Sequence, residues 1–218
     1  MKRKLTGNLR FIRLKKLWKK YSKGETVNIA VLDTDFNEDG HGKKVMSIIE
    51  SIAPEANIIP FNWAVNGLSK IPETLEEINE IEMINIVNIS LITGHTKRLE
   101  TVIKKLYDRD VHLIAASGND SKNSFYPAQY TDYVTSVGSL WHKSTKKSGF
   151  TSPGYELLAP GEIENIGVGT SYAAPHVAAI AACMLGKKKM SPDELEKAII
   201  QWMNVSIKKK RKKINKKS

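Results

Sequence analysis

Residues 169–176 read Gly169-Thr170-Ser171-Tyr172-Ala173-Ala174-Pro175-His176, and small apolar residues from Val177 to Cys183 follow. The pattern predicts a tight turn feeding a buried helix, with Ser171 in the first helical turn. Backbone N–H groups lack intrahelical acceptors there, and the helix dipole favours negative charge. A hydroxyl at that place can attack a carbonyl while a neighbouring N–H receives the oxyanion. The alanines let the helix pack closely against its neighbours. Taken alone, the string would also suit an N-cap serine on a core helix.

A serine nucleophile needs a base, and the base needs an orienting group. Val27-Asn28-Ile29-Ala30-Val31-Leu32 is an apolar, β-branched run suited to a buried parallel strand. It ends in Asp33-Thr34-Asp35, which puts a carboxylate at the carboxyl end of a strand, where open α/β sheets place their ligands. His41-Gly42 opens a helical stretch that runs through Val45 to Ile49. Val111 to Ala116 reads as a further strand and runs into Ser117-Gly118-Asn119-Asp120, by itself an ordinary turn signal.

Together these strings resemble the subtilisin-like serine proteases, the subtilase family or peptidase S8. Residues 169–176 match the nucleophile motif at every position but one, Tyr172 standing where the family usually has methionine. Asp33-Thr34 matches the acid motif, and Asp35 departs from its glycine. His41, Gly42 and Val45 match the histidine motif, while Lys43 and Lys44 do not. Tyr126-Pro127-Ala128 and Leu158-Ala159-Pro160-Gly161 match further along, and the resemblance covers roughly residues 14 to 203. It implies a three-layer αβα fold with a mainly parallel central sheet, and serine endopeptidase activity. The triad would be Asp33, His41 and Ser171, with Asn119 as oxyanion donor. A cis peptide before Pro127 is a further expectation.

The resemblance also places a substrate. Asn88-Ile89-Ser90-Leu91 is similar to the family strand that pairs with an extended peptide, with Ile92 where glycine commonly follows. Ser90, Leu91, Ile92, Ala116, Ser117 and Gly118 would be substrate-binding residues. Phe125 falls near the base of the pocket for the residue before the scissile bond. Two bulky residues, Ile92 and Phe125, would make that pocket shallow and suited to a small or medium side chain. Asp120 would stand on its rim and tolerate a basic residue. The gap from Asp33 to His41 is much shorter than in most of the family. The insert usually found there carries an edge of the sheet and part of a calcium site. No cofactor is expected and no metal-ligand cluster is present; calcium stays open as an alternative that no motif supports. His95, His112, His142 and His176 have no catalytic company, and His176 and Cys183 read as packed core residues.

Composition bounds the rest. A chain of 218 residues suits one domain with a full core. Predicted strands near 27–33, 57–62, 84–90, 111–116 and 134–140 alternate with helices near 42–51, 72–82, 96–108 and 171–185, which argues a parallel sheet covered on both faces. Ser191-Pro192-Asp193-Glu194 starts a last helix that runs to about Met203. Leu14, Leu17, Trp18 and Tyr21 recur at helical spacing and read as packing on the body. The division is a basic extension over 1–13, a peptidase domain over 14–206 and a basic tail over 207–218 that reads as disordered.

Residues 1–20 hold nine Lys/Arg and no acid, and residues 207–218 hold eight and no acid. Of 34 basic and 23 acidic residues, that leaves seventeen basic against 23 acidic, a body of net charge −6 between two positive ends. The basic tail could meet an anionic partner such as nucleic acid, a membrane surface or an acidic protein. Residues 1–12 could also lie across the cleft and restrain it. A single cysteine excludes an internal disulfide framework. No stretch has the length of a transmembrane helix, and the basic N-terminus lacks the apolar core of a signal peptide. These features lead to the expectation of a cytoplasmic processing protease with limited substrates and no conventional pro-domain. One attractive role is removal of a leader from a modified-peptide precursor. Its rivals are an inactive or weakly active subtilase-fold binding protein and a basic nucleic-acid-binding protein.

Overall fold

A computed structural model describes residues 10–65, 68–141 and 144–214. Six strands form the central sheet: β1 (Asn28–Asp33), β2 (Asn57–Asn62), β5 (Ile86–Ile89), β6 (His112–Ala116), β7 (Val134–Leu140) and β8 (Leu157–Pro160). Their order is β2-β1-β5-β6-β7-β8, and every neighbouring pair is parallel. Two small hairpins complete the strands, β3 (Ala64–Val65) with β4 (Leu68–Ser69) and β9 (Glu162–Ile163) with β10 (Gly167–Val168). The helices are α1 (Leu14–Lys20), α2 (His41–Ile52), α3 (Ile71–Asn79), α4 (Lys97–Asp108), α5 (Thr170–Leu185) and α6 (Pro192–Ile214).

Strand alternation divides the core in two. Ile29 and Val31 point to one face of β1, Ala30 and Leu32 to the other, and Ile114 with Ala116 against Leu113 with Ala115 repeat the division on β6. The first face packs on α1, α2, α5 and α6, the second on α3 and α4. This is the expected three-layer αβα architecture with a parallel sheet. Each fully buried Ile, Leu or Val contributes about 1.5–3 kcal/mol of apolar transfer energy. Helix α5 is buried on almost every side, because its alanines let the sheet and α2 approach closely.

Two features extend the sequence reading. The edge strand β8 adds a sixth strand where only the Leu158–Gly161 match was noted. The last helix was expected to end near Met203 with a disordered tail from 207, but it runs to Ile214. Lys and Arg are good helix formers, and a basic C-terminal end complements the helix dipole.

The expected packing of residues 14–21 on the body holds, with Leu17 fully buried. Residues 10–12 do not lie over a cleft. Phe11 and Ile12 are buried in the core cluster on the α6 side, and the Trp202 indole N–H donates to the Ile12 carbonyl at 3.0 Å. Residues 1–9 of the extension, and His142, lie outside the described residues.

Candidate active site

In this sheet the strand order reverses between β1 and β5. Such a switch point opens a crevice at the carboxyl ends of the strands. Asp33 is the last residue of β1, Ser90 follows β5, and Asn119 follows β6. Helix α5 starts over the same ends and carries Ser171 in its first turn.

The loop from β1 to α2 has only seven residues, Thr34 to Gly40. Asp35 takes a left-handed conformation, φ 50°, in the position where the family motif has glycine. Aspartate tolerates that region better than most residues, and its Oδ1 accepts from the backbone N–H and side-chain amide of Asn37. Gly40 lies so close beneath it that a Cβ there would overlap the Asp35 carbonyl. The Gly42 N–H closes the loop by donating to the Thr34 carbonyl at 2.8 Å. The turn therefore delivers His41 as the first residue of α2.

His41 Nδ1 is 2.7 Å from Asp33 Oδ1, and His41 Nε2 is 3.1 Å from Ser171 Oγ. The Asp33 side chain is 3% exposed and that of His41 33% exposed, so the acid is buried and the base faces the crevice. The Thr34 N–H donates to the same Asp33 oxygen at 2.7 Å, while Oδ2 is buried without a partner among the described residues.

Pro175 explains how α5 is held at this point. A residue at 175 would normally donate its N–H to the Ser171 carbonyl, and proline has none. The Ser90 hydroxyl supplies the missing donor at 2.9 Å, and the buried Asn88 amide donates in turn to Ser90 Oγ at 2.9 Å. Strand β5 is thus bonded to the peptide of Ser171 itself.

Asn119 is oriented by Thr170. The Thr170 N–H donates to Asn119 Oδ1 at 2.9 Å and the Thr170 hydroxyl at 3.0 Å. A backbone N–H can only donate, so this end of the amide is the oxygen and Nδ2 is the end left to donate. A Cβ added at Gly169 would stand 3.1 Å from Ser171 Oγ and 3.2 Å from Asn119 Nδ2. Glycine there keeps open the space between the hydroxyl and the amide. The Ser171 N–H, in the first turn of α5, has no intrahelical acceptor and can donate to the same space.

The predicted cleft residues sort themselves. Ser90–Ile92 and Ala116–Gly118 leave the adjacent parallel strands β5 and β6, so the two segments run side by side. The side chains of Ala116 and Ser117 are buried, as is Leu91, and the Ser90 hydroxyl is spent on Ser171. Ile92 is 44% exposed. Gly118 has φ 108°, and a Cβ there would meet the Phe125 ring at 2.7 Å. Phe125 therefore lies directly on the segment that precedes Asn119. Asp120 accepts from the Lys122 N–H and the Asn123 amide in its own turn. The Tyr126–Pro127 peptide is cis, as expected.

The other histidines do other work. His176 is fully buried, bonds through Nδ1 to the Tyr172 carbonyl at 2.8 Å, and is held down to about 4 by burial. His112 is likewise lowered to about 4 by burial, and His95 Nδ1 bonds to the Tyr130 hydroxyl at 2.9 Å. Among the described residues no His, Cys, Asp and Glu side chains cluster as a metal would require. A separate crevice lined by Tyr107, His112, Thr135, Asp193 and Glu196 opens at the amino ends of β6 and β7, the far end of the sheet from Ser171.

One neighbour of the site escaped the sequence reading. The Tyr172 ring packs on the His41 imidazole, with centroids 5.2 Å apart and planes 44° apart. Burial, and then the charge of Asp33, raise the Tyr172 phenol above its usual range. The only signal in the sequence was that Tyr172 departs from the family string.

Comparison with known proteins gives this geometry a context. The model of the Subtilase family, Peptidase_S8, matches residues 37–216, most of the chain. That match takes in His41, Asn119 and Ser171 and begins four residues after Asp33, whose place in the site rests on its distance to His41. The chain is 30% identical over 252 residues to the minor extracellular protease Epr of Bacillus subtilis (strain 168), covering 92% of this chain but only 38% of that protein. It is 23% identical to the major intracellular serine protease of the same strain, over 90% of this chain and 82% of that one. Among solved structures, the prenylagaramide maturation protease PagA superposes with a TM-score of 0.72 at 27% identity, covering 85% of this chain and 86% of that one.

Proposed function

Since the chain belongs to the subtilase family, we propose that it is a serine endopeptidase that processes a limited set of peptide substrates inside the cell. The observation that carries the reading is the unbroken line from Asp33 Oδ1 to His41 at 2.7 Å and from His41 to Ser171 Oγ at 3.1 Å. His41 Nε2 takes the Ser171 proton as Oγ attacks the scissile carbonyl. Asp33 holds the Nδ1–H tautomer and stabilises the imidazolium. Asn119 Nδ2 and the Ser171 N–H donate to the oxyanion. His41 then gives its proton to the leaving amine. Water, deprotonated in turn by His41, releases the acyl group.

An extended peptide would lie between Ser90–Ile92 and Ala116–Gly118, paired through main chain rather than through the buried side chains. The contact of Phe125 with Gly118 and the exposed Ile92 support a shallow pocket that selects a small or medium residue before the scissile bond. The likeness to a maturation protease supports a processing role such as leader removal. The likeness to an intracellular protease, and one buried free cysteine, support action inside the cell.

For the basic ends we propose an anionic partner. Arg13 stacks on Trp202 at 3.7 Å and donates to its carbonyl at 2.7 Å, so the end of the basic extension meets the helix that leads into the basic tail.

The test compares wild type with Ser171→Ala, using a fluorophosphonate probe and a peptide library at neutral pH. Labelling and cleavage in wild type alone are expected. A folded wild type that neither labels nor cleaves would leave the chain a binding protein on a subtilase fold. Efficient cleavage after Phe or Tyr would refute the shallow pocket.

A further inference from the structure

The His41 imidazole is gripped at both ring nitrogens, yet hydrogen bonds at its two edges leave the ring free to rock about the line that joins them. A neighbour packed beside the ring is what limits that motion, and the Tyr172 ring supplies one, with centroids 5.2 Å apart and planes tilted by 44°. Tyr172 is itself immobilised. It is 7% exposed, sits in the core cluster with α5, and its outer edge is covered by the β9–β10 hairpin. The fit to the hairpin is close. A Cβ at Gly167 would run into Tyr172 Cε2, Cζ and the hydroxyl oxygen. Gly167 does not need a left-handed backbone, so the ring is the physical reason for a glycine there. Glycine at 167 and tyrosine at 172 form a complementary pair across the turn that carries the nucleophile.

We propose that Tyr172 is a positioning residue for the reaction: wedged by Gly167, its ring backs the His41 imidazole and holds it in line with Asp33 and Ser171. The proposal rests on the reading of His41 as general base. Its effect belongs to the chemical step, because Tyr172 acts through the imidazole rather than on the peptide. The ring matters and the hydroxyl does not, since the contact with His41 is one between rings, tilted at 44°. Aromatic pairs of this kind bring about two- to tenfold in an equilibrium or a rate.

The experiment compares Tyr172→Phe, Tyr172→Met, Gly167→Ala and the double variant Gly167→Ala/Tyr172→Met. Methionine fills a similar volume and adapts to its surroundings, so the fold is kept. Steady-state cleavage of a library-derived peptide is measured beside the proton spectrum of the His41 imidazole, which Tyr172 shifts through its ring current. We expect Tyr172→Phe within about twofold of wild type on both readouts. Tyr172→Met should lose about two- to tenfold in kcat with KM little changed, and the His41 resonance should move. Gly167→Ala should behave like Tyr172→Met. The double variant should be no worse than Tyr172→Met, because the alanine then has no ring to displace. An unchanged kcat with an unmoved His41 resonance in Tyr172→Met would overturn the proposal, and so would an equal loss in Tyr172→Phe. A wild type without turnover would instead overturn the protease reading, and the spectrum would still test the ring contact.

Discussion

Asn119 is the residue at which structure and chemistry can be separated by one atom. Asn119→Asp keeps Oδ1, and with it the acceptor for the Thr170 N–H at 2.9 Å and for its hydroxyl at 3.0 Å. It replaces Nδ2, the donor beside Ser171, with a second oxygen. Thr170 is 1% exposed, so its two donors could not turn to water if the acceptor were lost. Asn119→Ala should therefore cost about 1–3 kcal/mol of stability. In a chain of this size that is about 2–12 °C in Tm. Asn119→Asp should cost much less, because a carboxylate near the N-terminus of α5 is favoured by the helix dipole. For turnover the ranking reverses. In subtilisin, loss of one oxyanion donor costs about 10²- to 10³-fold in kcat, and a loss of that order is expected here. Aspartate should be at least as damaging as alanine, because it sets a negative oxygen against the developing oxyanion. The assay pairs urea denaturation with steady-state cleavage of a fluorogenic peptide. An Asn119→Asp protein that keeps kcat within threefold of wild type would refute the reasoning, as would an Asn119→Ala protein as stable as wild type.

Further expectations follow from other parts of the molecule. Phe125→Ala should open the pocket against Gly118 and raise cleavage after large residues relative to cleavage after alanine, read from the same peptide library. Glu156 is pushed up from the usual 4.5 to about 7, mainly by burial. The folded state therefore binds more protons than the unfolded chain between those values, and stability falls as pH rises from 4.5 to 7. Glu156→Gln should flatten that slope in urea midpoints measured across the window. His112, lowered to about 4, has the opposite effect, so stability is lost as pH falls from 6.5 towards 4 and His112→Gln should lessen the loss. Arg13→Ala removes both the stacking on Trp202 and a charged hydrogen bond to its carbonyl, and should lower stability by about 1–3 kcal/mol in the same urea assay.

What the sequence by itself determined is local chemistry and its order. Asp33, His41, Asn119 and Ser171 each stand at the end of a strand or the start of a helix, in strings short enough to read without a fold. The alternation of apolar strands with amphipathic helices was equally legible, because burial on both faces demands apolar runs, in β1 and β6 and, apart from Asn88, in β5. Only the tertiary structure decided how distant segments meet. The short strand β8, four residues ending in proline, becomes a strand only because β7 offers it a partner. The tolerance of Asp35 follows from a left-handed turn that no residue pattern announced. The junction of Arg13 with Trp202 spans 189 positions of sequence. The pairing of Tyr172 with His41 and Gly167 joins three elements that share no local signal. The reason is the same in each case: periodicity and turn chemistry act over a few residues. Packing against a face, a bare carbonyl or a glycine exists only once the chain has closed on itself.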